Sequence, residues 1–114
     1  MGLKRKSSPV SETSAQSNPY RVSYTDFVRN GLANLIARAK ERGLEAQVRA
    51  ATRDIDYRLH IFPQFGDPVI DLSLASSQMR IGTVAPLVVK YALYEDLRLV
   101  IVSIPIATLP HSGL

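Results

Sequence analysis

The stretch from Met79 to Ile106 constrains this chain more than any other. It is the most apolar part of the sequence and the richest in β-branched residues. That composition suits strands lying on a pleated, half-buried surface. Three strands are expected, Met79 to Val84, Leu87 to Tyr94 and Leu97 to Ile104, with Glu95-Asp96 as the turn between the last two.

A two-residue turn sets Tyr94 against Leu97 and fixes which side chains share a face. One face then carries Leu87, Val89, Tyr91 and Leu93 with Arg98, Val100, Val102 and Ile104. This is the better core face. The other carries Val88, Lys90, Ala92 and Tyr94 with Leu97, Leu99, Ile101 and Ser103. Arg80, alternating with Met79 and Ile81, is expected on that same open face beside Lys90. A half-apolar open face calls for a cover: the chain's own tail, a second copy, or a partner segment.

Upstream, Tyr20 to Tyr24 reads as a first strand. Thr25-Asp26 starts a helix, since a hydroxyl or carboxylate there accepts from the free N–H groups of the first turn. Val28, Leu32, Leu35, Ile36 and Ala39 follow at helical spacing. Arg42-Gly43 ends it, with a cation at the negative pole and a glycine for the left-handed cap. A second helix carries Leu44, Val48, Ala51, Ile55, Leu59 and Phe62 as one stripe, opposite Arg49, Arg53, Asp54 and Arg58. Pro63 stops it. Two helices joined only by Gly43 form an antiparallel pair. Pro63 to Pro68 is a loop, Val69 to Leu72 a short extended piece, Ala75 to Ser77 a loop, and Ala107 to Leu114 a tail. The fold class is α+β: an N-terminal strand, an antiparallel helix pair, then a three-stranded antiparallel meander.

The chain of 114 residues is read as a polar tail, residues 1–19, and one domain, residues 20–114. The tail is rich in Ser, Thr, Asn, Gln and Pro, has no apolar period, and reads as disordered. Its Lys4-Arg5-Lys6 run reads as a solvated basic patch, with nucleic-acid contact as the alternative, and has no apolar core of a signal peptide beside it. There is no cysteine, which fits a reducing cytoplasm and excludes thiolate chemistry. Two histidines, His60 and His111, are poor material for a metal site, and no cofactor is implied. No apolar run is long enough to span a membrane. The net charge of +4 permits an anionic partner without requiring one.

The order strand, helix, helix, meander resembles the RelE/ParE superfamily of toxins from type II toxin–antitoxin (plasmid stabilisation) systems. The resemblance runs from Tyr20 to Ile106. It rests on Phe62-Pro63 followed by Gly66-Asp67-Pro68-Val69, on Arg80-Ile81-Gly82 leading to Val88-Val89-Lys90-Tyr91, and on the acidic turn before Arg98-Leu99-Val100-Ile101-Val102. It implies a growth-inhibiting toxin, neutralised by a cognate antitoxin and acting on translated mRNA at the ribosome or on DNA gyrase. The family's Tyr-Arg pair on the third strand falls at Leu87-Val88 here, so its arginine is absent. The RNA-cleaving branch also implies basic residues on the second strand, where only Arg80 stands, and an arginine near Ala107-Thr108, where none does. Arg80 and Lys90 are therefore the candidate target- or RNA-contacting residues. Cleavage by 2′-OH attack also needs a proton acceptor and a proton donor, and the sequence names no catalytic residue. Two other readings stand beside the toxin: a catalytically degenerate toxin-fold protein that only binds, and a DNA-binding helix pair, disfavoured by Glu45, Asp54 and Asp56 among the arginines.

Overall fold

The structure, a computed structural model, describes residues 18–72 and 77–114. The chain runs β1 (Arg21–Tyr24), α1 (Asp26–Glu41), α2 (Glu45–Ile61), a 3-10 turn (Pro63–Phe65), β2 (Asp67–Asp71), β3 (Ser77–Val84), β4 (Leu87–Tyr94), β5 (Leu99–Val102) and β6 (Ala107–Thr108). The class is α+β, with two helices and one mixed sheet. Strand order is β1-β5-β4-β3-β2, and β6 pairs with β4. β2 to β5 form an antiparallel meander, and β1 lies parallel to β5. The tail expected over residues 1–19 falls almost wholly outside the described residues, as do Ala75 and Ser76 of the expected loop.

The helix signals act locally as their chemistry dictates. Thr25 Oγ1 accepts from Val28 N at 3.2 Å and caps α1. The Arg42 N–H closes the other end on Ala39 O and Lys40 O, and Gly43 takes a left-handed φ of +72° that a side chain would disfavour. In α2 the stripe Val48, Ala51, Ile55 and Leu59 is buried. Phe62 leaves the stripe and is 58% exposed, because the chain departs from helical geometry there, at φ −146° and ψ 68°.

The helices cover the face built from Leu87, Val89, Tyr91, Leu93, Val100 and Val102, each almost wholly buried. That face is the expected one, although the turn is not. Tyr94 pairs with Leu99, not Leu97, so the loop is Glu95 to Arg98. Two and four are both even, so side-chain parity is unchanged. Arg98 N donates to Glu95 O at 3.1 Å, and Arg98 takes a left-handed φ of +48°. Its carbonyl accepts from Arg21 N at 2.9 Å, its guanidinium lies 4.2 Å over the Tyr20 ring, and it donates to the Asn18 carbonyl. These contacts join the turn to β1 and offset an unfavourable backbone conformation.

Two further boundaries differ from expectation. Val69 to Asp71 belongs to a fourth meander strand, β2, which starts at Asp67 and ends before Leu72, and Ser77 opens β3 instead of ending a loop. The last strand breaks after Val102 and resumes as β6 with a shifted register, Val88 facing Ala107. The tail then runs back to the helix turn: Leu109 N donates to Pro86 O at 2.9 Å, and Arg42 Nη1 donates to Gly113 O at 3.0 Å.

Candidate functional site

Residues directly opposite one another in paired strands share a face, so the register maps the side of the sheet away from the helices. One row reads Ser23, Ile101, Ala92, Met79, Ile70, from β1 to β2. The next reads Lys90, Ile81, Asp67. Flanking rows hold Leu99 with Tyr94 and Ser77, and Ala107 with Val88 and Thr83. The helices pack on the opposite side of the sheet, the tail adds only β6 at one end, and Ser77 and Ala92 are the buried members of this face. A recess of about 160 Å³ opens in it, lined by Val69, Ile70, Met79, Arg80, Ile81 and Lys90. A register shift between Pro68 and Ile70 leaves Val69 without a partner on β3, and Val69 and Ile70 are each 58% exposed. Lys90 is exposed, and its side chain makes no hydrogen bond or ion pair with any described residue.

Arg80 and Lys90 both line this recess, but by strand register Arg80 belongs to the opposite face, which corrects the expectation that the two share one face. Arg80 stands opposite Tyr91, and Lys90 opposite Ile81. The reason is the two-residue Ala85-Pro86 turn, which sets Val84 against Leu87. Counting back from Val84 by twos puts Gly82, Arg80 and Gln78 on the helix side. There the Arg80 guanidinium is occupied. Nε donates to Gly66 O at 2.9 Å, Nη2 to Gln64 O at 3.0 Å and Nη1 to Gln78 Oε1 at 2.5 Å.

Tyr91 completes this clamp on the turn before β2. Its hydroxyl donates to Pro63 O and accepts from Gly66 N at 3.1 Å. Burial pushes its pKa up, against the opposing pull of the Gly66 N–H and Arg80. Phe65 stacks on the Tyr91 ring, centroids 5.9 Å apart, with Arg58 5.3 Å over the other ring. Gly66 and Gly82 permit the close approach: a Cβ on Gly82 would fall 2.4 Å from Phe65 Cζ. Arg80 and Tyr91 thereby place the strand that walls the recess.

Neither histidine joins Lys90. His60 Nδ1 lies 2.8 Å from the Asp56 carbonyl within α2. The Tyr24 hydroxyl donates to Asp56 Oδ1 at 2.5 Å, and burial followed by the Asp56 carboxylate drives its pKa upward. His111 sits in the tail with a left-handed φ of +62°. Val88, where the resemblance expects an arginine, does face the open side, two residues from Lys90. Sequence reasoning missed the recess residues Val69, Ile70, Met79 and Ile81. The signal was Pro86, which interrupts the apolar run and marks the turn that sets β3 parity.

No family model matches the chain, and no curated protein and no solved structure matches it. No helix among the described residues is long and apolar enough to cross a membrane.

Proposed function

We propose that the chain is a RelE/ParE-like toxin that acts by binding a protein target through the open sheet face, and that a cognate antitoxin neutralises it by occupying that face. The observation that carries this reading is the face itself: apolar rows around one cation, Lys90, that pairs with no described residue, with a single carboxylate, Asp67, two strands away in its row. The connectivity of strand, helix pair and antiparallel meander supports the resemblance from which the toxin reading comes.

RNA cleavage fits this face poorly. Transesterification needs a base for the 2′-OH, cations for the phosphorane and an acid for the leaving oxygen. Lys90 supplies one cation. Arg80 is committed to main-chain carbonyls on the other side of the sheet, and His60 belongs to α2. Binding a protein requires none of these groups.

The test is inducible expression of the chain, alone and with the product of an adjacent small reading frame. Growth arrest relieved by that product is expected, with purified chain inhibiting gyrase supercoiling and leaving mRNA intact in a translation extract. Cleaved mRNA would overturn the binding mechanism. Unchanged growth would overturn the toxin reading, and capture of the neighbour's product without growth arrest would identify a toxin-fold protein that only binds.

A further inference from the structure

We propose that the open sheet face also pairs with a second copy of itself, in a weak symmetric dimer centred on Ile81. This stands whether or not the chain is toxic. The row Lys90, Ile81, Asp67 is the basis: a cation on β4, an aliphatic side chain on β3 and an anion on β2. Lys90 and Asp67 are both exposed, and the side chain of neither makes an ion pair or hydrogen bond with a described residue.

Each charge lies one strand from β3, on opposite sides, about 4.8 Å away. A two-fold axis between two stacked faces, running close to β3, exchanges the β4 side of one copy with the β2 side of the other. Lys90 then meets Asp67 of the second copy, twice, and the two Ile81 side chains meet at the centre. Stacked sheets lie about 10 Å apart, a gap that a lysine and an aspartate fill together. The next row obeys the same operation: Met79 falls on Met79, and Ala92 on Ile70 of the other copy. The recess beside Ile81 gives the incoming Ile81 room to seat.

Other occupants fit less well. An acidic peptide would satisfy Lys90 but bring a carboxylate close to Asp67. A nucleic acid backbone requires several cations for its phosphates, and this row offers one, with an anion nearby. Edge-to-edge pairing through β2 is opposed by Pro68, which has no N–H to donate, and by Asp67 and Asp71, which would face like charges.

The contact is small. Three strands, about 14 Å across, and an eight-residue β3, about 26 Å long, give a footprint of roughly 370 Å² per copy. Two copies bury about 740 Å² in total, below the roughly 1,000 Å² that a stable specific interface clears, so the dimer is a weak, transient one that should dissociate on the order of 0.1 mM and give way to a tighter partner for the same face.

The experiment is sedimentation equilibrium of the full chain from about 10 μM to 1 mM, with Lys90→Asp, Asp67→Lys and the double exchange. The wild-type chain should show a reversible monomer–dimer equilibrium. Each single reversal sets like charges together twice and should weaken it by about tenfold or more. The double exchange recreates a self-complementary row and should restore dimerisation. Thermal midpoints of all four proteins should agree, since both side chains are exposed. A chain that stays monomeric at 1 mM, single reversals that leave the equilibrium unchanged, or a double exchange that fails to rescue would each overturn the proposal. Because no growth phenotype enters the readout, a failed toxicity assay and a failed dimer remain separate results.

Discussion

Replacing Tyr91 by Phe deletes one oxygen from the interior and leaves the ring in place. The hydroxyl is the hydrogen-bond acceptor for Gly66 N, at 3.1 Å, and a donor to Pro63 O. Tyr91, Pro63 and Gly66 are all buried, so water does not readily replace it. Each buried polar group left without a partner costs about 1–3 kcal/mol. Two such groups put the expected loss at about 2–6 kcal/mol, a large part of the ~5–15 kcal/mol that holds a domain folded. The stacking on Phe65 is retained, so a cavity contribution is small. Urea unfolding followed by circular dichroism is the assay. With a slope of roughly 2 kcal/mol per molar, the midpoint should fall by about 1–3 M with the slope unchanged. A loss below about 0.5 kcal/mol would refute the view that this hydroxyl holds the turn before β2 in place.

The remaining expectations are as follows. Arg80→Ala should destabilise by about 2–4 kcal/mol through its lost charged bonds to Gly66 O and Gln64 O, whereas Lys90→Ala should stay within about 0.5 kcal/mol; equal effects in thermal melts would contradict their placement on opposite faces. Gly66→Ala sets a Cβ 2.5 Å from Tyr91 Oη and 2.8 Å from Ile81 O, so a loss of about 2–3 kcal/mol is expected, with earlier hydrogen exchange in β2 as its local mark. Stability should fall as pH rises above the ordinary tyrosine range: Tyr24, with its pKa raised chiefly by burial, keeps its proton in the folded chain after the unfolded chain has lost it. Tyr24→Phe should flatten that alkaline slope, and an unchanged slope would argue against its burial. Thr25→Ala removes the acceptor for Val28 N and should cost about 1 kcal/mol, measurable by chemical denaturation.

The elements governed by short-range chemistry were legible from residue order. Thr25 as a cap, Gly43 as a left-handed helix end and Pro63 as a stop each act within a turn of backbone. The helix-facing side of β4 and β5 was legible too, because alternation of apolar residues reports burial directly. The Phe62 stripe position failed because a helix end is decided by the fold that follows it.

What the sequence by itself determined is the α+β class, the helix pair and the apolar strand pair at its centre, including the helix-facing row Leu87, Val89, Tyr91, Leu93, Val100 and Val102, though not Ile104, which was expected on that face and is exposed. What only the tertiary structure decided is the relation between strands. The Glu95 to Arg98 loop depends on Arg98 reaching Tyr20 and Asn18, partners far away in the chain. The face of Arg80 depends on the register that β3 takes against β4, where a one-residue change moves every side chain to the other side. That register removed Arg80 from the open face and put Ile81 between Lys90 and Asp67. No local pattern encodes such a row, because its members lie on three strands and meet only when the sheet forms.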